Sequence, residues 1–294
     1  MSDLKIAVML NNLKMDPYEG MKKVVEMEVP GLHLSIGGGP FAPENMDNAA
    51  RKTLLEHLRS LGLEVSAVSA WGGKVDLGDA DEAEHDIAWA KRILDMSIDL
   101  ECNIWQAHVG VMPTDTSDPR WNVFLDSTGQ IARYGESVGA CLAIETGPEP
   151  PRVLKRLIET IGSAGLRVNY DPGNLILWPV RFAAERGEEY DRKGAWEEFQ
   201  PMDGVKVLGE YIVHTHAKDA LVREDGTRRE VPLGSGWVDW PVYVQSLMDE
   251  GYDGYYAIER ETGDDPVGDI TRAVEFLKSI KPGAPRAGEV SDQR

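Results

Sequence analysis

Eight short apolar runs divide the chain at near-regular intervals: residues 4–10, 32–36, 65–69, 104–107, 141–144, 166–170, 211–214 and 255–258. Each is too short for a helix and apolar at nearly every position, as expected of a parallel strand covered on both faces. The stretches between them carry helical period. Within 151–161, Val153, Leu154, Leu157, Ile158 and Ile161 share one stripe, and Ile270, Val274, Leu277 and Ile280 repeat it near the C-terminus. Asp16 before Pro17 reads as a cap and first turn. Gly165, Gly251 and Gly254 stand where helices should stop ahead of the next strand. Eight strand–helix units in 294 residues predict an α/β chain closed into a (β/α)8 TIM barrel, one domain over residues 1–280. The competing arrangement is an open doubly wound sheet. It is weakened because the first run leads into Asn11-Asn12-Leu13-Lys14, without a Gly-x-Gly-x-x-Gly turn.

Two segments break the rhythm. Residues 175–204 form a charge-rich insertion after the sixth run, with Trp178, Tyr190 and Trp196; a loop of that length serves as a lid or as a contact with a second copy in a homo-oligomer. The tail, 281–294, has almost nothing to bury and is expected to be disordered.

The formal net charge of -19 makes nucleic acid and anionic membrane surfaces poor partners. No apolar run approaches the ~20 residues that span a bilayer. The start, Met1-Ser2-Asp3-Leu4-Lys5, lacks the pattern of a secretory signal. Cys102 and Cys141 both lie in apolar runs and read as reduced, packed thiols, so a cytoplasmic protein is expected.

In a barrel of this kind the chemistry sits at the C-terminal ends of the strands. The fifth run ends in Glu145, the sixth in Asp171, the seventh in His214-Thr215-His216 and the eighth in Glu259. A core has no need of such a pattern, because buried carboxylates lose hydration and repel one another. A divalent cation would resolve both costs. Three carboxylates and an imidazole suit Mn, Mg, Co or Zn, and we take Mn first among them. His216 lies nearer the strand's edge and is the expected ligand. His214, on the same face, is then a support behind the ligands, a substrate contact or a core histidine.

Five ordered motifs carry a resemblance. They are Ala143-Ile-Glu-Thr-Gly147, Val168-Asn-Tyr-Asp-Pro-Gly-Asn174, Val213-His-Thr-His-Ala-Lys-Asp219, Val231-Pro-Leu-Gly-Ser-Gly236 and Gly251-Tyr-Asp-Gly-Tyr-Tyr-Ala-Ile-Glu259. Together they resemble the sugar phosphate isomerase/epimerase family of the xylose-isomerase-like barrel superfamily, over roughly residues 4 to 280. That superfamily also holds ketose 3-epimerases, inosose dehydratase and endonuclease IV.

The resemblance implies one divalent metal held by Glu145, Asp171, His216 and Glu259. Glu145 and Glu259 would double as the acid/base pair on opposite faces of a sugar substrate. Asn174, three residues after the aspartate, would contact a substrate oxygen. His108, at the fourth strand end, matches a position where relatives place a substrate-facing histidine. Lys218 and Trp71 are further candidates for substrate contact, weighed against ion pairing and packing.

The expected reaction is proton transfer through an enediolate on a keto-sugar or related polyol. The alternatives are water elimination from an inosose at the same site, an endonuclease IV-like phosphodiesterase, and a sugar-binding barrel without catalysis. The chain departs from the ketose 3-epimerases six residues after the metal histidine. Val222 stands in the place of their arginine, with Arg223 adjacent. Gly234-Ser-Gly236 replaces a Gly-Glu-Gly common among relatives.

Overall fold

Every apolar run becomes a strand, and the strands close into a ring. The computed structural model describes residues 4–70 and 75–281. Its strands are β1 (Lys5–Met9), β2 (Gly31–Ser35), β3 (Glu64–Ser69), β4 (Ile104–Ala107), β5 (Cys141–Glu145), β6 (Leu166–Tyr170), β7 (Ile212–Ala217), β8 (Asp219–Val222), β9 (Arg228–Val231) and β10 (Tyr255–Ile258). The barrel order is β1-β10-β7-β6-β5-β4-β3-β2, with β1 closing it. Ala7 pairs in parallel register with Ala257 of β10 on one side, and Val8 with Leu32 of β2 on the other. This is the single-domain (β/α)8 barrel that the alternation of runs predicts.

The helices bury the stripes that their period marks out. In Pro151–Ile161, Val153, Leu154, Leu157 and Ile158 are buried while Arg152 and Glu159 face water. Asp16 caps the first helix by accepting from the N–H groups of Tyr18 (3.0 Å) and Glu19 (3.2 Å), and Pro17 opens the first turn. Gly165 has another role than the one expected. The helix Pro151–Ile161 stops at Gly162, which takes the left-handed conformation (φ 64°). Gly165 lies where the chain passes so close to the helix Pro119–Val138 that a Cβ would sit 1.9 Å from the carbonyl oxygen of Ala132.

Residues 175–204 are largely helical and do not form a long loop. They fall in the helices Pro172–Arg186, Arg192–Phe199 and Pro201–Leu208. Each starts on a side-chain cap, from Asp171, Asp191 and Gln200, and two carry proline in the first turn. The antiparallel hairpin β8–β9 is also absent from the apolar pattern, because β9 (Arg-Arg-Glu-Val) is mostly polar and exposed. The tail beyond Lys281 lies outside the described residues.

The barrel interior is unusually polar. Large aliphatic residues usually fill that space. Here His33 of β2, Ser66 of β3, Asn169 of β6 and His214 of β7 are buried together. His214 bonds Asn169 Oδ1 through Nδ1 (2.7 Å) and Ser66 Oγ through Nε2 (3.3 Å), and its ring centroid lies 5.1 Å from that of His33.

Candidate active site and metal centre

Glu145, Asp171, His216 and Glu259 converge at the C-terminal mouth of the barrel. Each offers a ligand atom, and those atoms all lie within 4.8 Å of one another. Neighbouring strands supply them, which is how a closed parallel ring turns widely spaced residues into one cluster. Asp171 directly follows β6 and caps the next helix, accepting from the N–H of Asn174 at 2.9 Å through Oδ1. Its main chain is tied to β5, since Asp171 N–H donates to Thr146 Oγ1 (2.8 Å) and Thr146 Oγ1–H donates to the Asp171 carbonyl (3.0 Å). The cap uses one carboxylate oxygen and leaves the other facing the cluster.

The donor set fits a divalent cation. His216 Nδ1 lies 3.0 Å from Glu259 Oε2, 3.3 Å from Glu145 Oε1 and 3.6 Å from Asp171 Oδ2. Among the described residues, neither this nitrogen nor Asp171 Oδ2 finds an aligned hydrogen-bond partner. All four side chains are buried. Buried polar atoms normally have partners, and unpaired ones that point at a common centre are what a metal ligand set looks like without its ion. One nitrogen and three carboxylates suit Mn, Mg, Co or Zn.

Counter-charges hold the carboxylates in different states. Burial pushes Asp171 up to about 8, more than the Lys218 ammonium offsets. Burial also works against ionisation of Glu145, but the neighbouring His108 and His216 outweigh it and leave the group below its ordinary value. For Glu259 the opposing charges are Lys218 and His216, and they hold it well below the carboxylate range. His216 is raised well above the ordinary imidazole value, since Glu259 and Glu145 outweigh its burial. His33, deeper in the barrel, is pushed down to about 3 by burial and by its neighbour His216.

The remaining candidates separate by position. Asn174 Nδ2 donates to Glu145 Oε1 at 2.7 Å, so its side chain stands beside the cluster. His108 is partly exposed at the mouth, with Nε2 3.4 Å from Glu145 Oε2. Lys218, between β7 and β8, is buried with Nζ 3.2 Å from Glu259 Oε2, 2.6 Å from Glu261 Oε2 and 3.8 Å from Asp171 Oδ2. His214 faces the barrel interior with Asn169 and Ser66 as partners, below the cluster. Trp71 lies outside the described residues.

Two residues join the site that strand-end reading passes over. Gln106, the third residue of β4, donates through Nε2 to Glu145 Oε2. Its sequence signal is a single polar residue inside an apolar run. Trp178, the seventh residue of the helix that Asp171 caps, lines the mouth. Its ring centroid lies 5.7 Å from that of His108 and 5.3 Å from that of Phe182. Gly147 makes room for it: a Cβ there would lie 2.5 Å from Trp178 Cδ1, at a φ of 147°. Above these residues opens a cavity of about 1290 Å³, lined by Gln106, His108, Trp178 and Glu259 among others.

Comparison with known proteins agrees with this architecture. The uncharacterized protein MJ1188 of Methanocaldococcus jannaschii is 26% identical over 193 residues, covering 61% of this chain and 63% of that protein. The L-ribulose-5-phosphate 3-epimerase UlaE of Shigella flexneri is 33% identical over 87 residues, 29% of each chain. The chain thus matches less than two thirds of the length of either relative. Among solved structures, a xylose isomerase domain protein from Planctomyces limnophilus superposes with a TM-score of 0.75 at 21% identity, over 94% of this chain and 95% of that one. Among the described residues no helix is long and apolar enough to cross a membrane. The family model for the xylose isomerase-like TIM barrel matches residues 21–280, and the chain belongs to that family.

Proposed function

We propose that this protein is a divalent-metal-dependent sugar isomerase or epimerase, acting by proton transfer through an enediolate on a keto-sugar or related polyol. The observation that carries the reading is the convergence of Glu145 and Glu259 with Asp171 and His216 within 4.8 Å. The named activity of the UlaE relative points the same way.

Glu145, Asp171, His216 and Glu259 would hold a divalent cation, with Mn taken first and Mg, Co or Zn as alternatives, and it would supply the positive charge that acidifies a C–H beside a carbonyl. Glu145 and Glu259 are the proton carriers, both in the ionised state that a base requires. One removes the proton from the carbon next to the carbonyl; that same group returns it, or the other, after taking a proton from solvent, donates one from the opposite face while the first releases its own to solvent. Return from the opposite face inverts the centre, whereas return at the adjacent carbon interconverts aldose and ketose. Gln106 and Asn174 each donate to a different oxygen of Glu145 and so fix its plane. His108 and Trp178 line the cavity where substrate oxygens would arrive, and Lys218 stands behind Glu259.

The first test is metal content per chain in the wild type and in Asp171→Ala, followed by uptake of solvent deuterium into keto-sugars. About one ion per chain, lost in the variant, with deuterium entering beside the carbonyl, is the expected result. A product lighter by one water would move the reaction to a lyase on the same site. Absence of metal after soaking with Mn or Co would overturn the reading.

A further inference from the structure

We infer that the site takes an uncharged sugar, held with one face against Trp178, and discriminates against its phosphate ester. This rests on the sugar-processing reading above and narrows its substrate class.

The first argument is charge. Beyond the metal ligands, the cavity is lined by Asp76, Asp79, Glu82, Asp86, Glu185 and Glu261, and among the described residues Arg181 is the one lysine or arginine in the lining. Among the described residues, three cations near the mouth face carboxylates. Arg181 Nε lies 2.6 Å from Glu185 Oε1, Lys218 Nζ lies 2.6 Å from Glu261 Oε2, and Arg120 Nη2 lies 2.5 Å from Asp76 Oδ2. Asp79 and Glu82 remain exposed on the wall. A phosphate dianion is recognised by arginine forks, lysines or helix N-termini. This wall would instead lower the local concentration of anions.

The glycine turn at the mouth does not substitute for a cation. Gly37 and Gly38 line the cavity, but the chain then enters only the three-residue turn Gly39–Phe41, with no helix dipole behind it.

The second argument is the aromatic wall. Trp178 is half-buried, gripped by His108, Phe182 and the Gly147 turn, and it also lines the cavity. The Arg181 guanidinium covers its ring at 4.4 Å from the centroid while paired with Glu185, so charge on that side is spent within the protein. The indole of Trp178, next to His108 in the cavity lining, offers contact to the C–H face of a sugar ring, which needs no charge.

The test uses the metal-loaded protein and two matched pairs: L-ribulose with L-ribulose 5-phosphate, and D-tagatose with D-tagatose 6-phosphate. Binding is measured by calorimetry and, separately, solvent deuterium uptake by mass spectrometry. At least one neutral sugar should bind ten times or more tighter than its ester. Added salt should narrow the gap by screening the wall. Trp178→Ala should weaken the neutral sugar at least tenfold, and the pair Asp79→Asn with Glu82→Gln should improve the ester alone. An ester binding as tightly as its neutral partner, or no binding by any of the four, would overturn the inference. A neutral sugar that binds with the expected preference but exchanges no hydrogen would leave the inference standing and count against the isomerase reading instead.

Discussion

The ammonium of Lys218 lies 3.2 Å from a carboxylate oxygen of Glu259, and both side chains are buried. Lys218 thus sits on one of the proposed ligand groups and carries the same sign of charge as an arriving cation. Replacing it by methionine keeps the apolar stem and removes the competitor. Lys218→Met should therefore tighten binding of Mg or Mn by about tenfold, roughly 1.4 kcal/mol, while turnover falls because Glu259 loses its orientation. Calorimetric titration of both proteins at one pH checks this, and weaker metal binding in the variant would show that the lysine assembles the ligand set.

Glu145 receives hydrogen bonds from Asn174 and Gln106 on separate oxygens. Partners behind a metal ligand typically account for ~10–100-fold in affinity or activity. Asn174→Ala and Gln106→Leu should each lower solvent-exchange activity within that range. Glu145→Gln, which removes the proposed proton carrier itself, should cost about 10²–10⁴-fold. Equal losses in all three would mean that orientation of Glu145, and not its basicity, limits the rate.

Glu149 is fully enclosed, and burial pushes its carboxyl up to about 8, only partly offset by the backbone N–H of Met112. The group ionises near 4.5 in the unfolded chain and near 8 in the folded one, so the folded state holds the extra proton between these values. Stability contributed by the protonated form is complete below pH 4.5, declines as pH rises, and levels off above pH 8. At ~1.4 kcal/mol per pH unit the full loss is on the order of 5 kcal/mol. Glu149→Gln should flatten this limb, matching wild type in urea unfolding at acidic pH and exceeding it by a few kcal/mol in mild alkali. Parallel pH profiles for the two proteins would refute the assignment.

Asp219 anchors the return from β8 to the last helices. Its carboxylate accepts from the N–H groups of Ala220 (2.9 Å), Gly234 (2.9 Å), Gly236 (2.9 Å) and Val238 (3.2 Å) and from Trp240 Nε1 (3.1 Å). Asp219→Ala would leave several of these buried donors without an acceptor and should cost on the order of 3 kcal/mol in chemical denaturation. The Gly234-Ser-Gly236 segment should become protease-sensitive in the same variant. A loss below about 1 kcal/mol would mean that the segment is held by its packing.

The apolar runs determined the barrel. A strand covered on both faces must be apolar at each position, and eight such runs separated by amphipathic stretches leave little choice but closure. The same logic marked Glu145, Asp171, His216 and Glu259, because a carboxylate or imidazole ending an apolar run has no role in a core. Side-chain caps at Asp171, Asp191 and Gln200 were present in the sequence between 171 and 204, but charge density masked the short helices that they start. The tertiary structure decided which polar residues share space. Gln106 meets Glu145 because β4 and β5 are neighbours in register, 39 residues apart in the chain. His214 turns inward to Asn169 and Ser66 although it shares a strand face with His216, because depth along the barrel axis separates core from mouth. The acid wall around Trp178 is likewise assembled from separate segments, Asp76 to Asp86, Glu185 on the same helix and Glu261, and its charges matter only through distances that a linear sequence does not contain.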